Sequence, residues 1–347
     1  MIALAGDASM RLGGRQPRNP QISPSNSDGC RQHDPPLKTA LMDLLDRRFL
    51  FVVGKGGVGK TTVAAGLALE ASRRGKKVLL AMVNCKERVS ALLDTEPIGA
   101  DIITIGENLD AVNMTPDAAL EEYGMMILKV RAIYNAVFKN KLVRAFLKGT
   151  PGLEAWSMLG KAFYHACPPK GDPDYDLVIL DAPATGHALD MLRVPFVIES
   201  VAPPGILRRD AARAVDMFRD PERSGAVLVT LPEYMPASET IDLADALTDE
   251  MKIPVLQLVI NRVLPVLFAE KERPVLEELP SRISEGEIHG LAVAGRRRVL
   301  RETVQARAVR QVRSHIHVPC SELPIYRDLE DDRAVMDTLS KALLETT

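Results

Sequence analysis

A run of nine residues constrains the fold of this 347-residue chain more than any other feature of its sequence. An apolar stretch of β type, 49–53, leads into the run, and a helical pattern from Thr62 to Arg74 follows it. A strand, a glycine-rich loop and a helix in this order create an anion site, because the loop amides and the helix N-terminus point to one place. The run matches the pattern G-x-x-x-x-G-K-[ST] and reads Gly54-Lys55-Gly56-Gly57-Val58-Gly59-Lys60-Thr61-Thr62.

The residue types of this loop indicate phosphate binding, and we predict that all nine residues contact a nucleotide. The glycines allow the backbone to close around a β-phosphate with its N–H groups turned inward. Lys60 is predicted to neutralise the β- and γ-phosphates, and the Thr61 hydroxyl is predicted to bind Mg²⁺. Lys55 is not required by the general pattern, and a solvated loop lysine is its ordinary interpretation.

A second motif follows an apolar strand pattern at 176–180. It reads Asp181-Ala182-Pro183-Ala184-Thr185-Gly186-His187. An acid at the carboxyl end of a parallel strand lies beside the phosphate loop in α/β folds, so we predict that Asp181 joins Thr61 in holding Mg²⁺. Gly186 is predicted to bring its N–H close to a γ-phosphate, in a loop that changes shape when that phosphate leaves.

Composition excludes several classes of function. A formal net charge of −2 and only 4% aromatic residues argue against a nucleic-acid partner. Four cysteines (30, 85, 167 and 320) lie far apart without a CxxC pair, which argues against disulfides or a cysteine-only zinc site and fits a cytoplasmic location. No apolar segment is long enough to span a membrane, so we do not expect an integral membrane protein.

Alternating strand and helix patterns predict an α/β fold with a mostly parallel sheet flanked by helices. Residues 1–38 lack periodicity and are predicted to be a disordered extension, with Met42 as a possible true start. Between about 116 and 166, apolar residues at helical spacing predict a helical insertion that packs on the sheet or offers a partner surface. The segment 295–313 carries seven arginines and one acid, and is predicted to be a solvated helix whose buried side contains Leu300, Val304, Ala308 and Val312.

The two motifs together resemble those of the ATPase family that contains the arsenite-pump ATPases and the targeting factors for tail-anchored proteins, which have a deviant Walker A loop. The resemblance covers about residues 45–345 and implies a single P-loop NTPase domain that uses ATP and Mg²⁺. It also implies that Glu239, shortly after Leu231-Pro232-Glu233, contacts the nucleotide. Asn261, at the end of another strand pattern, is implied to read the adenine edge.

The same resemblance gives Lys55 a function. In this family the corresponding lysine crosses a dimer interface and contacts the nucleotide of the facing subunit, which delivers positive charge to the phosphoryl group. The implied assembly is a homodimer, or a heterodimer with a paralogous ATPase. The implied activity is an ATP-driven switch that is coupled to a membrane transporter, a client protein or another assembly partner.

One departure from the family pattern affects catalysis. Asn84 occupies the position of the aspartate that orients and deprotonates the attacking water, and an amide cannot accept that proton. We therefore predict slow hydrolysis, with Glu87 as a possible substitute base. The alternative is a nucleotide-gated binding module with little turnover. The thiol that binds arsenite in the pump ATPases and the zinc CxxC of the eukaryotic targeting factors are both missing, so the cargo stays open.

A partition or cell-division ATPase is a further alternative, because such proteins share the loop. They usually need a membrane-seeking helix or a DNA-binding patch. The predicted C-terminal helix, 333–344, is weakly amphipathic and not basic, which counts against that class.

Overall fold

The computed structural model describes residues 43–128, 152–283, 285–326 and 331–346. The predicted N-terminal extension 1–38, Met42, and the middle of the predicted helical insertion, 129–151, lie outside these ranges.

The strands of the described chain form one eight-stranded sheet. They are β1 (Phe49–Gly54), β2 (Val78–Val83), β3 (Ile103–Gly106), β4 (Leu109–Met114), β5 (Leu177–Asp181), β6 (Ser224–Thr230), β7 (Val255–Val263) and β8 (Cys320–Pro324). Their order across the sheet is β3-β4-β2-β5-β1-β6-β7-β8, and every neighbouring pair is parallel except β3 with β4. The strands β2, β5, β1 and β6 are buried along their whole length, as in sheets covered on both faces. The predicted fold class is confirmed.

Ten α-helices are described around this sheet. They are α1 (Lys60–Arg73), α2 (Val89–Leu93), α3 (Pro116–Leu128), α4 (Leu153–Ala166), α5 (Thr185–Val201), α6 (Ile206–Arg219), α7 (Tyr234–Asp245), α8 (Arg273–Arg282), α9 (Glu287–His315) and α10 (Asp332–Ala342). Among the helices in these ranges, none is both long and apolar enough to cross a bilayer.

Two hydrophobic clusters cover the two faces of the sheet. Along β1 the side chains alternate, so that Phe49 and Phe51 enter one cluster while Leu50 and Val52 enter the other. The first cluster includes Phe218 of α6, whose ring centroid lies 4.8 Å from that of Phe51 in an edge-to-face arrangement. The second contains the buried side chains of α1 and α10. The phosphate loop therefore starts from a strand held on both faces.

The described ends of the predicted insertion are helical, since they form α3 and α4. The two helices pack against each other. The indole Nε1 of Trp156 donates a hydrogen bond of 2.9 Å to the hydroxyl of Tyr123, and both side chains are buried. These residues join the sheet cluster rather than an exposed surface.

The arginine-rich segment lies in α9, and its predicted buried side is correct only in part. Ala308 and Val312 are buried, but Leu300 and Val304 are 46% and 50% exposed. The buried face changes along the helix, because the middle of α9 buries Glu302, which accepts hydrogen bonds from Arg273 of α8 and from Arg298. The prediction assumed one helical period over the whole segment and therefore missed this change of buried face.

Candidate nucleotide-binding site

The phosphate loop joins β1 to α1 at the carboxyl edge of the sheet. Because β1 lies between β5 and β6, the segments that follow both neighbours border the loop. Gly57 and Gly59 have φ angles of +85° and +98°, which side-chain-bearing residues seldom adopt. Gly59 is the N-cap of α1 and gives no side-chain cap, so the first N–H groups of α1, at Lys60 to Thr62, are available to an anion.

Neighbouring strands approach the loop closely at two glycines. A Cβ atom on Gly54 would lie 2.2 Å from the carbonyl oxygen of Val229. A Cβ atom on Gly59 would lie 2.3 Å from Nδ2 of Asn261. Gly56 and Gly57 are exposed instead, as a backbone surface that faces a ligand should be.

Asn261, near the end of β7, holds the phosphate loop through a hydrogen bond to the loop backbone. Its Nδ2 donates a hydrogen bond of 2.9 Å to the carbonyl of Val58, and its Oδ1 accepts one of 2.9 Å from the N–H of Arg262. Only 7% of the residue is exposed. The sequence did not indicate this role, and an adenine contact by Asn261 stays a prediction.

Gly59→Ala is expected to be more damaging than Gly57→Ala, although both glycines have positive φ. Alanine at either position costs about 1–2 kcal/mol of backbone strain. Nothing lies within 4 Å of a Cβ on Gly57, whereas at Gly59 the added methyl displaces Asn261 from Val58. We expect an extra loss of about 1–2 kcal/mol in the free energy of unfolding, measured by urea denaturation. Equal losses in the two variants would contradict the clash.

Thr61 and Asp181 meet beside the loop as predicted. The Thr61 hydroxyl donates a hydrogen bond of 2.6 Å to Oδ2 of Asp181. Burial raises the pKa of Asp181 to about 6, and the hydrogen bond from Thr61 and the charge of Lys60 lower it in part. The carboxylate is 4% exposed, so it lies inside the protein at the base of the loop.

Two buried oxygen atoms here have no hydrogen-bond partner within the described chain: Oδ1 of Asp181 and Oγ1 of Thr185. Such atoms are costly unless a ligand, water or ion satisfies them. Magnesium takes one or two protein oxygens together with phosphate oxygens and waters. No group of three or more His, Cys, Asp or Glu residues forms a metal cluster in the ranges described. The Thr61–Asp181 pair therefore fits Mg²⁺ held jointly with a nucleotide.

The two loop lysines are held differently. Lys60 Nζ donates a hydrogen bond of 3.1 Å to the carbonyl of Lys55, and burial lowers the pKa of Lys60 while Asp181 opposes that shift. Lys55 Nζ lies 2.5 Å from Oε1 of Glu239, with 32% and 33% of the two side chains exposed. The structure thus brings two predicted site residues together as an ion pair at the rim of the site.

Asn84 follows β2 and turns away from the strand with a φ of +41°. It is exposed, and its N–H donates a hydrogen bond of 2.8 Å to the carbonyl of Met114. Glu87 uses its carboxylate differently: Oε1 accepts from the N–H of Ser90 at 2.8 Å, and Oε2 accepts from the Ser90 hydroxyl at 2.5 Å. A carboxylate engaged in this way at the start of α2 is poorly suited to activate a water.

Gly186 lies in the first turn of α5, directly after the loop that follows β5. The N-cap of α5, Ala184, forms no side-chain cap, so the N–H groups of this turn remain available to a phosphate. A Cβ on Gly56 would lie 3.6 Å from that of Ala184, which shows that this turn borders the phosphate loop.

Two cavities lie at the carboxyl edge of the sheet, one on each side of β1 in the strand order. One of about 540 Å³ lies beyond the ends of β6, β7 and β8, and its walls include Leu231, Pro232, Arg262, Leu300 and Val304. The other, of about 470 Å³, is lined among others by Asn84, Pro183 and His187. The sequence indicated the first cavity only through Leu231-Pro232-Glu233, and it did not indicate Arg262 or the α9 residues.

Comparison with known proteins agrees with this geometry. The sequence profile of the family described as "Anion-transporting ATPase" matches residues 47–203, which include both the phosphate loop and the Asp181 motif. A "Putative arsenical pump-driving ATPase" of Halobacterium salinarum is 29% identical over 267 residues, which are 71% of this chain and 41% of that protein. The chain thus spans less than half the length of this relative.

Other relatives match over most of their length. "ATPase BagA" of Mycobacterium tuberculosis is 28% identical over 308 residues, which are 81% of this chain and 88% of that protein. "ATPase ASNA1 homolog 2" of Paramecium tetraurelia is 24% identical over 268 residues, 67% of this chain and 80% of that protein. The phosphate loop and the buried Asp181 both lie within the matched residues 47–203, so this part of the chain resembles the anion-transporting ATPase family.

Proposed function

We propose that this protein binds ATP with Mg²⁺ and hydrolyses it slowly as a dimeric switch. The observation that carries the proposal is the Thr61–Asp181 hydrogen bond of 2.6 Å, next to a carboxylate oxygen that is buried without a partner among the described residues. A buried acid that accepts a hydrogen bond from the first turn of an uncapped helix is suited to a metal–phosphate ligand. The match of residues 47–203 to the anion-transporting ATPase family supports an ATP-binding and ATP-hydrolysing function.

The larger cavity is suited to the base and ribose. Its walls are mainly apolar, and it begins where β6 and β7 end, beside the strand that leads into the phosphate loop. A nucleobase needs a flat apolar slot with a few polar groups at its edge. The preference for ATP over GTP rests on the family.

Each residue at the phosphate end has a distinct part in hydrolysis. Lys60 and the loop amides bind the β- and γ-phosphates, and Thr61 with Asp181 would hold Mg²⁺. When bound, the metal ion would neutralise charge that develops on the phosphate oxygens. Water attacks the γ-phosphorus as the bond to the β–γ bridging oxygen breaks and ADP leaves. Asn84 orients this water through its carbonyl, so the water's proton passes to a phosphate oxygen or to solvent.

Dimer formation across this face is supported by what surrounds the loop. Tyr234 and Met235, at the start of α7, are 66% and 58% exposed, and Leu300 and Val304 lie exposed beside the larger cavity. Exposed apolar patches of this kind mark interaction surfaces. Glu239 of the Lys55–Glu239 pair is itself a residue of α7, so a facing subunit that contacts this helix would meet the pair. We propose a homodimer or a heterodimer with a paralogous ATPase.

The partner that this ATPase would drive is proposed by class only. The printed name of the halobacterial relative refers to an arsenical pump. For this chain we propose a cytoplasmic ATPase that drives a membrane transporter, a client protein or an assembly partner. Neither a nucleic acid nor arsenite has support from the site residues.

The proposal is tested by titration calorimetry with ATP and Mg²⁺ and by phosphate release. Wild-type protein is expected to bind ATP and release phosphate slowly. Lys60→Ala should weaken binding by about 100-fold, because it removes the charge that neutralises two phosphates. Lys86→Ala, at an exposed lysine on the segment after β2, is the matched control and should bind normally. Absence of ATP binding by the wild type would refute the proposal.

Asn84→Asp is expected to raise the single-turnover rate of hydrolysis by about tenfold or more, because a carboxylate can accept the water's proton. The positive φ of this position suits aspartate as well as asparagine. Glu87→Ala should leave the rate unchanged, since its carboxylate is bonded to Ser90. No gain from Asn84→Asp would mean that the amide does not limit turnover.

A second candidate function is a nucleotide-gated binding module with little turnover. The observation that favours it is the combination of an amide at position 84 and a Glu87 carboxylate that is already engaged. It predicts tight ATP binding without phosphate release in a single-turnover assay. Release that disappears in Lys60→Ala would decide for hydrolysis.

A further inference from the structure

Asn113, near the end of β4, holds the turn that carries Asn84. Its Oδ1 accepts a hydrogen bond of 3.2 Å from the N–H of Cys85, and its Nδ2 donates one of 2.9 Å to the carbonyl of Cys85. One carboxamide therefore satisfies both backbone groups of a single residue. We call this pair of hydrogen bonds the Asn113 clamp.

The clamp acts where regular strand pairing stops. β2 and β4 are parallel and in register up to the pair Val83–Met114, and the N–H of Asn84 still reaches the carbonyl of Met114. The positive φ of Asn84 then turns the chain out of the sheet. β4 ends at Met114, and the Asn113 side chain pairs with the backbone of Cys85 in the way that a peptide group would.

Asn113 itself is firmly placed. Its N–H donates a hydrogen bond of 2.8 Å to the carbonyl of Gly99, and its neighbours Val112 and Met114 are buried in the sheet cluster. The turn that it holds borders the Asp181 motif, because Asn84 lines one cavity together with Pro183 and His187. Thus an anchored strand end fixes the position of an exposed turn at the phosphate end of the site.

We propose that Asn113 is a positioning residue for ATP hydrolysis, which holds the Asn84 turn so that the Asn84 carboxamide meets the attacking water. The inference rests on the proposed hydrolysis and adds a residue that contacts neither nucleotide nor metal. The second cavity, which Asn84 and His187 both line, is the space in which that water would lie. Without the clamp, the turn keeps the hydrogen bond from the Asn84 N–H to the carbonyl of Met114 but loses both bonds at Cys85, so it opens more often.

The first test measures the turn directly in the nucleotide-free protein. Residue-resolved labelling of thiols by mass spectrometry should show Cys85, which is half-buried, reacting about tenfold faster in Asn113→Ala. Cys167 serves as the internal reference and should not change. Asn113→Asp keeps the acceptor but loses the donor, so it should give an intermediate rate. Asn108→Gly, at the other end of β4, removes a carboxamide without strain at its positive φ and should behave as wild type.

The second test separates turnover from binding. Asn113→Ala should reduce the single-turnover rate about tenfold and leave the Kd for ATP within about twofold, because the loop contacts are untouched. When Asn84 is already alanine, adding Asn113→Ala should not lower the single-turnover rate further, because Asn113 is proposed to act only through the Asn84 carboxamide. Unchanged Cys85 labelling, a parallel loss of ATP affinity, or an additive rate loss would each overturn the proposal. If the wild type released no phosphate, the proposed hydrolysis would fail, while Cys85 labelling would still decide whether the clamp exists.

Discussion

Lys55→Ala is expected to lower the rate of ATP hydrolysis by about 10³-fold while the Kd for ATP stays within about threefold of wild type. The reason is that Lys55 is proposed to act on the nucleotide of the facing subunit, where its charge counts most in the transition state. Within one chain, the Lys55 ammonium is paired with the carboxylate of Glu239. Phosphate release and titration calorimetry measure the two quantities.

Mixing two inactive variants tests whether Lys55 acts between subunits. A Lys55→Ala subunit keeps its own Lys60, and a Lys60→Ala subunit can supply Lys55 to it. Random pairing makes half of the dimers mixed with one complete site each, so the mixture should recover about a quarter of the wild-type rate. Absence of recovery, with mixed dimers shown by light scattering, would mean that Lys55 acts within its own chain.

The ion pair with Glu239 does not prevent this exchange. Both side chains are about one-third exposed, and pairs of this kind contribute about 0–1 kcal/mol. Dimer formation can therefore replace Glu239 by phosphate at small cost. Lys76→Ala removes another lysine of a surface ion pair, that with Asp46, and serves as the control. It should leave both hydrolysis and ATP affinity at wild-type values.

Asp181→Asn is expected to weaken binding of ATP in the presence of Mg²⁺ by about 100-fold. Without Mg²⁺ the same variant should bind ATP at least as well as wild type, because a negative charge beside the phosphates is gone. The amide retains an oxygen that can accept the Thr61 hydrogen bond, so the loop should keep its shape. Calorimetry with Mg²⁺ and with a chelator measures both values, and equal losses in the two conditions would count against a metal function for Asp181.

The raised pKa of Asp181 adds a pH signature to this prediction. Burial raises the pKa to about 6 from 3.8, so below pH 6 a proton occupies the carboxyl that Mg²⁺ needs. Wild-type affinity for ATP with Mg²⁺ should fall as the pH drops below about 6, and the affinity of Asp181→Asn should not follow this fall. Asp172→Asn, which changes an exposed carboxylate, is the control, and its affinity for ATP with Mg²⁺ should fall with pH as that of the wild type does.

The same shift has a consequence for stability. A pKa raised in the folded state gives stability that is full below the unfolded value of 3.8 and is lost as the pH rises through about 6. At pH 7 without metal, the buried charge thus costs the protein up to about 3 kcal/mol. Asp181→Asn should therefore raise the free energy of unfolding at pH 7, and this gain should shrink towards pH 4. If Asp181→Asn lowered the free energy of unfolding at pH 7, burial would not be the cause of the raised pKa.

Much of the site was predictable because its signals are local. The nine loop residues are adjacent, and their spacing alone encodes a strand, a turn and a helix start. The meeting of Thr61 and Asp181, which are 120 residues apart, was also predictable, since carboxyl ends of neighbouring parallel strands share one edge. For Asp181 the signal was an acid directly after a wholly apolar strand.

Other contacts could not be predicted in this way. Asn261 supports the loop through Val58, and the carboxylate of Glu87 accepts two hydrogen bonds from Ser90. Leu300 and Val304 follow the apolar period of α9 and are nevertheless exposed. In each case the residue type and its place on an element were known, but the direction of the side chain depends on which neighbouring element packs beside it.

By itself, the sequence determined a phosphate loop on a parallel sheet and an acid beside it, because both follow from short runs whose backbone chemistry has few alternatives. Only the tertiary structure decided that Lys55 pairs with Glu239 and that Asn113 holds the turn of Asn84. Those contacts join side chains from separate strands and helices. Their partners are selected by sheet order and register, which no local pattern in the chain specifies.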